Sequence, residues 1–429
     1  MSVFRKLWPV RPVLEESETA DAARRPRRHW AGWLTIVSAV VIAAAVFLGG
    51  GAEARANTLI TITIPDSQGE IPSQWLSYPG PPRADVLLPD NYNPGQSYPL
   101  LVLLHGLNQN YGSLVGGGLT AGLAGFKGIV VMPEGGSGWY ADWWNGGERG
   151  SPAWESYELN EVIPAILARF PILPERRYHA LAGFSMGGLG AAYLGGRLPG
   201  FFGSVASLSG FVDPQYFAPI ADAGMGLTAE APVEGDDNLN PVYGPPHGFY
   251  ADGHNPTGLV MNLEQTRVFE STGNGVPSSA GLNDPTNGGP YAIPEGSALE
   301  RMIIYPMSQR YYKALKTAGV DVTYQVHAGG HDWPDFYREL AAYLAWDPFK
   351  AVVTDPASWV NETVATSGQV WDIGYRFDQP PTQVVQFRRS GTTLSIGRAG
   401  SPVTITTSQG CVIHTGTPST VQIPAGTCG

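Results

Sequence analysis

The chain has little cysteine, little positive charge and no repeat. Only Cys411 and Cys428 occur in 429 residues, too few for a disulfide framework. No Cys/His cluster has metal-ligand spacing, so neither a metal nor another cofactor is expected. In an oxidising compartment the two cysteines would pair; two free thiols are the alternative. Asp and Glu (37) outnumber Lys and Arg (26), for a net charge of −11, which argues against nucleic acid as a partner. Internal repeats and heptads are absent, so neither a solenoid nor a coiled coil is expected.

Long apolar runs are also scarce. One uncharged run, residues 31–48, follows the basic cluster Arg24, Arg25, Arg27 and Arg28 and leads into small residues around Ala52 to Ala56. Basic, apolar and small in that order reads as a secretory signal. An uncleaved membrane anchor is the alternative, because roughly 18 apolar residues can just span a bilayer. In either case the basic end stays inside and the rest is exported. No cysteine near the junction invites lipid attachment. Residues 1–56 are thus a leader.

The hydrophobic fraction of 43% describes an ordinary globular protein, and 55 Gly with 37 Pro predict many turns. From Leu59 onward, strands and helices alternate as in a mostly parallel sheet with crossover helices. Short strands are expected at 58–64 and 84–88. Continuous apolar runs at 99–104 and 128–132 suit strands buried on both faces. Further strands are expected at 178–183, 202–208, 266–271 and 321–326. Helices are expected at 157–170, 186–197, 297–317 and 333–345; Pro164 would kink the first or mark its true start, and Pro306 would kink or split the third. The segment 210–265, rich in Gly, Pro, Asn and Asp, is either a wall over the sheet or a solvated loop. After Lys350 only short β-rich runs appear: 384–388, 393–396, 403–406 and 420–423. The expected architecture is an α/β-hydrolase fold with a mostly parallel central sheet over 57–349, followed by a small all-β domain over 350–429. That last domain either binds glycan or wall material or simply stabilises the first.

One motif carries chemistry. Gly183-Phe184-Ser185-Met186-Gly187 is a full G-x-S-x-G between a strand and a helix, the context that gives the pattern meaning. The sharp turn strains the serine backbone and excludes side chains at the glycines. The serine hydroxyl is left exposed, and the helix N-terminus is free to face an oxyanion. His105-Gly106 ends an apolar strand, so the Leu107 N–H can donate to the same oxyanion, partnered by the N–H of Met186. A hydroxyl needs a base to become a nucleophile. Chain order Ser, acid, His puts that base after the last strand, at His331; His327 is the weaker candidate. For the acid, Asp284 and Glu300 remain open. Asp284 suits a turn, and Ser297-x-x-Glu300 suits a capping box.

At these residues the chain resembles the antigen 85 family of mycolyltransferases, within the wider esterase D group, from about Asp85 to Ala345. Gly138-Trp139-Tyr140-Ala141-Asp142-Trp143-Trp144 is similar to the family's aromatic-Ser-Asp-Trp segment. Ser207-Leu208-Ser209-Gly210, Gly273-Asn274-Gly275-Val276-Pro277 and His331-Asp332-Trp333 also match family segments. Leu299-Glu300 falls where the family has a Leu-Glu pair whose Glu is the triad acid, and the resemblance therefore implies Glu300. Where mycolyltransferases carry an Asp and an Arg that help hold trehalose, this chain has His105 and Asn108. The longer aromatic stretch before the catalytic histidine is missing.

Residues and resemblance together imply an exported serine acyltransferase or esterase. Its donor would be an acyl ester, its acceptor water or a sugar hydroxyl, and association with the cell envelope would be natural. Trp143 and Trp144 would line the substrate site or, alternatively, pack in the core. The rival from another class is a catalytically silent wall- or matrix-binding protein on a hydrolase fold.

Overall fold

The structure is a computed structural model and describes residues 57–144, 151–217, 242–277, 295–424, 426 and 428. Contacts divide the chain into two units, Met1–Ala54 and Arg55–Gly429, and all described residues belong to the second. The apolar run 31–48 lies outside them. Among the described residues no helix is long and apolar enough to cross a membrane.

Eight strands form the central sheet: β1 (Thr58–Thr63), β2 (Arg83–Leu88), β3 (Leu100–Leu104), β4 (Ile129–Pro133), β5 (His179–Phe184), β6 (Ser204–Leu208), β7 (Arg267–Gly273) and β8 (Val322–His327), in the order β1-β2-β4-β3-β5-β6-β7-β8. From β4 to β8 every pairing is parallel, while β1, β2 and β4 pair antiparallel at one edge. Apolar clusters cover both faces. Along β3, Leu100, Val102 and Leu104 enter one cluster, and Leu101 and Leu103 the other. Alternation of side chains in a strand buried on both faces explains the uninterrupted apolar run.

Among the described residues, four long helices flank the sheet: α1 (154–169), α2 (Met186–Arg197), α3 (295–318) and α4 (Trp333–Trp346). The two prolines neither break nor stop their helices. In each case one π turn, Glu158–Val162 or Glu300–Ile304, runs directly into an α segment that carries the proline in its first turn. A proline lacks the N–H of an α-turn, and its ring would strike the carbonyl four residues back; a widened turn relieves both conflicts. The segment 210–265 is not a solvated loop where it is described. Val242, Tyr243, Ala251, Leu259, Val260 and Leu263 all join the main core.

The fold class is the one expected: an α/β-hydrolase sheet followed by a small β domain. That domain holds two four-stranded antiparallel sheets, made from β9 (Ser358–Thr363), β10 (Ser367–Val370), β11 (Ile373–Phe377), β12 (Val385–Ser390), β13 (Thr393–Ile396), β14 (Val403–Thr407), β15 (Val412–Thr415) and β16 (Ser419–Gln422). Ile373, Tyr375 and Phe377 from one sheet meet Val385, Phe387, Leu394 and Ile396 from the other in a shared core. Cys411 and Cys428 are disulfide-bonded.

The β domain is joined to the hydrolase by buried polar contacts. Arg197, at the end of α2, pairs with Glu155 through Nε and donates from Nη1 to Tyr375 Oη at 3.1 Å. Tyr193 Oη and His254 Nε2 complete the shell around Glu155. Asn361 Nδ2 donates to the Gly196 carbonyl, and Asn262 exchanges hydrogen bonds with the Glu362 backbone. Burial, the largest single influence, would raise the Glu155 pKa; the Arg197 charge, His254 and Tyr193 together outweigh it and hold it at about 2. A carboxylate depressed in this way contributes stability above its ordinary pKa, and loses it as pH falls through the folded value. Replacement Arg197→Ala should cost about 3–5 kcal/mol by leaving a buried carboxylate unpaired, read as the shift in urea unfolding at pH 7. That difference should shrink as the pH falls from 4.5 toward 2.

Candidate active site

Ser185 stands between β5 and α2 at φ 55° and ψ −118°, a region non-glycine residues rarely occupy. The motif glycines are required sterically. A Cβ on Gly183 would collide with the Gly187 carbonyl, and one on Gly187 with the Leu104 carbonyl. Ser185 is half-buried, while Met186 is fully buried. Gly106 comes close enough that a Cβ there would lie 3.5 Å from the Ser185 Cβ. The serine therefore sits against the loop that follows β3.

That loop is pinned from below. His105 is buried; its Nδ1 lies 2.9 Å from the Gly106 carbonyl, and its Nε2 accepts from the Gly135 N–H at 2.9 Å. The second contact leaves Nδ1–H to donate to Gly106. The Gly106 carbonyl and the Leu107 N–H belong to one peptide plane, so this bond orients the Leu107 donor. Gln109 Oε1 accepts from the Gly106 N–H at 2.9 Å, and Tyr140 Oη donates to the His105 carbonyl at 3.1 Å. His105 thus faces backbone rather than a sugar. Asn108 remains at the surface, its amide N–H against Ser137 Oγ.

Glu300 and His331 are brought together. His331 Nδ1 lies 2.9 Å from Glu300 Oε2, and both side chains are buried. The other carboxylate oxygen accepts from Thr272 Oγ1 at 2.6 Å and from Ser209 Oγ at 2.9 Å. His331 Nε2 is buried and has no hydrogen-bond partner among the described residues. Local sequence explains the placement. Asp332 caps α4 by accepting from the Asp335 N–H, Pro334 enters the first turn, and Gly330 donates to Asp335 Oδ2. Glu300 opens the π turn of α3. The capping-box alternative does not hold, because Ser297 already lies inside the helix. Asp284 lies outside the described residues.

Other expected site residues land elsewhere. Trp143 is buried against Trp75, with ring centroids 4.6 Å apart, and donates to the Gly138 carbonyl; of the two expectations for it, the described residues show its packing in the core. Trp144 is 46% exposed. It lines a cleft of about 730 Å³ between α1 and the β domain, whose walls include none of Ser185, Glu300 and His331. His327 pairs with Glu339 at 2.8 Å instead of with Glu300. Among the described residues no group of three or more His, Cys, Asp or Glu side chains is arranged to hold a metal ion. Sequence reasoning missed Ser209, Thr272, Tyr140, Gln109 and Glu339. Ser209 and Tyr140 share one signal, a positive φ in a non-glycine residue, which only a structure reveals.

The model of the Esterase family matches residues 77–346, more than half of the chain. Among curated relatives, an esterase of Mycobacterium tuberculosis (strain H37Rv) is 38% identical over 133 residues, covering 30% of this chain and 29% of that protein. The diacylglycerol acyltransferase/mycolyltransferase Ag85A of Mycobacterium leprae is 28% identical over 229 residues, covering 51% of this chain and 67% of that protein. The chain thus spans under a third of the first relative's length and two thirds of the second's. The solved structure of Mycobacterium tuberculosis MPT51 superposes with a TM-score of 0.51 at 21% identity, over 68% of this chain and 98% of that one, a likeness of fold.

Burial lowers the His105 pKa to about 4, with the Gly106 bond opposing the shift. A histidine whose folded pKa lies below its unfolded value leaves the native state short of a proton in between. Stability should therefore fall from about pH 6.5 to pH 4, by roughly 3 kcal/mol at this site. His105→Gln should flatten that part of the curve, measured by urea unfolding at several pH values.

Proposed function

We propose an acyl-transfer chemistry from one premise: the chain belongs to the Esterase family. Ser185 Oγ attacks the carbonyl carbon of an acyl ester while His331 Nε2 takes its proton. Glu300, behind the imidazole, holds its orientation and stabilises it when charged. The N–H groups of Leu107 and Met186 receive the oxyanion. The alcohol leaves with the proton from His331, and an acyl-serine remains. Water or a sugar hydroxyl then gives its proton to His331, attacks the acyl group and releases Ser185.

The observation that carries this reading is the buried His331–Glu300 pair, whose imidazole keeps one nitrogen, Nε2, without a partner among the described residues. A buried polar nitrogen left unpaired costs stability, and a function that uses it accounts for its being kept. A binding protein on this scaffold would have no need of one, so the silent alternative has no observation in its favour. The strained Ser185 backbone supports the same reading.

The reading extends to place and partners. The leader 1–56 exports the chain, either cut away or retained as an anchor, and residues 57–349 and 350–429 act outside, secreted or on the cell envelope. Donors are acyl esters. The likeness to a mycolyltransferase makes a sugar hydroxyl the natural acceptor to test against water.

The test uses residues 57–429 with a trehalose monoacyl ester, with and without free trehalose, and mass spectrometry of the products. Diacylated sugar would establish transfer, and free acid alone hydrolysis. Ser185→Ala and His331→Ala should each lower turnover by about 10⁴-fold or more, since triad members act as a unit. Near-wild-type turnover of Ser185→Ala would sink the reading.

A further inference from the structure

Behind the Glu300–His331 pair lies a second buried acid that acyl transfer does not use. Glu339, on α4, has no exposed surface. Its Oε1 lies 2.9 Å from Ser209 Oγ and 2.8 Å from His327 Nε2, and its Oε2 has no partner among the described residues. The same Ser209 oxygen lies 2.9 Å from Glu300 Oε1. Ser209 is held there in a left-handed conformation, φ 46°, by its N–H bond to the Ser271 carbonyl.

A hydroxyl carries one proton, so Ser209 cannot donate fully to both carboxylates. While the pair as a whole is neutral, the hydroxyl is free to donate to Glu300. When the pair gives up one proton, the neutral His327 ring leaves the Glu339 charge unbalanced, and that charge competes for the hydroxyl and adds a second negative charge beside Glu300. We propose that Glu339 and His327 are a positioning pair for Glu300, setting through the Ser209 hydroxyl how Glu300 holds and polarises His331. The consequence for turnover rests on the acyl-transfer reading; the coupling itself does not.

The pair has a route to solvent. The His327 side chain is 16% exposed while Glu339 is sealed. His327 Nδ1 lies 3.0 Å from Arg338 Nη1 and 3.1 Å from the Ala328 carbonyl. A neutral ring with its proton on Nε2 accepts from Arg338, whereas a charged ring donates to Ala328, so both protonation states have a partner. Among the described residues, the charged and titratable groups around the Glu339–His327 pair are Glu270 from β7, Glu300 from α3, and Asp335 and Arg338 on α4 itself. Burial pushes the Glu339 carboxyl up to about 7, with His327 opposing and the Glu300 charge adding. Burial works against the His327 proton, but the bond to Glu339 and its charge lift the imidazole above its ordinary value. Proton exchange in the pair therefore falls near neutrality.

The test follows the downfield Nδ1–H proton resonance of His331 by NMR across about pH 5.5–8.5, beside kcat and KM on the ester. Wild type should show a transition near neutrality that follows the Glu339–His327 pair. Glu339→Gln and Ser209→Ala should each abolish it, with kcat changed about three- to tenfold and KM within about twofold. The double variant should be no worse than the worse single one, the mark of one shared path. A Glu339→Gln protein that keeps the wild-type resonance, transition and kcat overturns the proposal. If burial makes Glu339→Gln fold poorly, His327→Gln decides at the rim: without its cationic neighbour Glu339 must titrate at higher pH, and an unmoved transition overturns the pairing. Loss of the NMR transition in the variants without any ester turnover by wild type would support the pair and defeat the acyl-transfer reading.

Discussion

A buried carboxylate is tolerated when its charge is met, and Glu300 is one place where this chain meets that demand. One oxygen faces His331; the other collects hydroxyl hydrogens from Thr272 and Ser209. Much of the surrounding architecture serves this arrangement. A π turn begins at Glu300 and lets Pro306 follow without breaking α3. Gly273, at the end of β7, lets the chain pass within reach of the Glu300 side chain and the Gly329 carbonyl. The Asp332 cap and the Gly330–Asp335 bond fix the loop that presents His331. An isolated buried carboxylate would cost several kcal/mol, so these contacts are conditions for the fold as well as for chemistry.

The same economy appears where the β domain meets the hydrolase. Glu155 is buried near Asp142, whose own carboxyl is pushed up to about 6 by burial and by the Glu155 charge. Arg197 offsets Glu155 and reaches across to Tyr375 in the β domain. Since α2 starts at Ser185 and ends at Arg197, the helix whose N-terminus faces the candidate oxyanion is anchored at its other end by the second domain. The β domain therefore supports the element that follows the serine.

Several features read clearly from residue order, because local physics decides them. The G-x-S-x-G turn has one comfortable geometry. The apolar runs of β3 and β4 could be buried only on both faces, and the break in character after Lys350 announced a separate β region. Other features were hidden for identifiable reasons. Strand β9 was missed because Trp359, Val360 and Asn361 are all buried, between the β-domain core and the Gly196 carbonyl, so no alternation shows. Strands β10 and β11 contain glycines that dilute the strand signal. Trp143 belongs to an aromatic segment that looks like a substrate wall, yet Trp75, far off in sequence, claims its ring.

By itself the sequence determined the serine turn and the class of sheet that holds it. These rest on short-range sterics and on periodicity, which neighbouring residues suffice to express. Only the tertiary structure decided that Glu300 meets His331, that His105 supports a peptide plane, and that Ser209 stands between two buried acids. Each depends on side chains from different elements converging on one atom, and no spacing along the chain encodes that convergence.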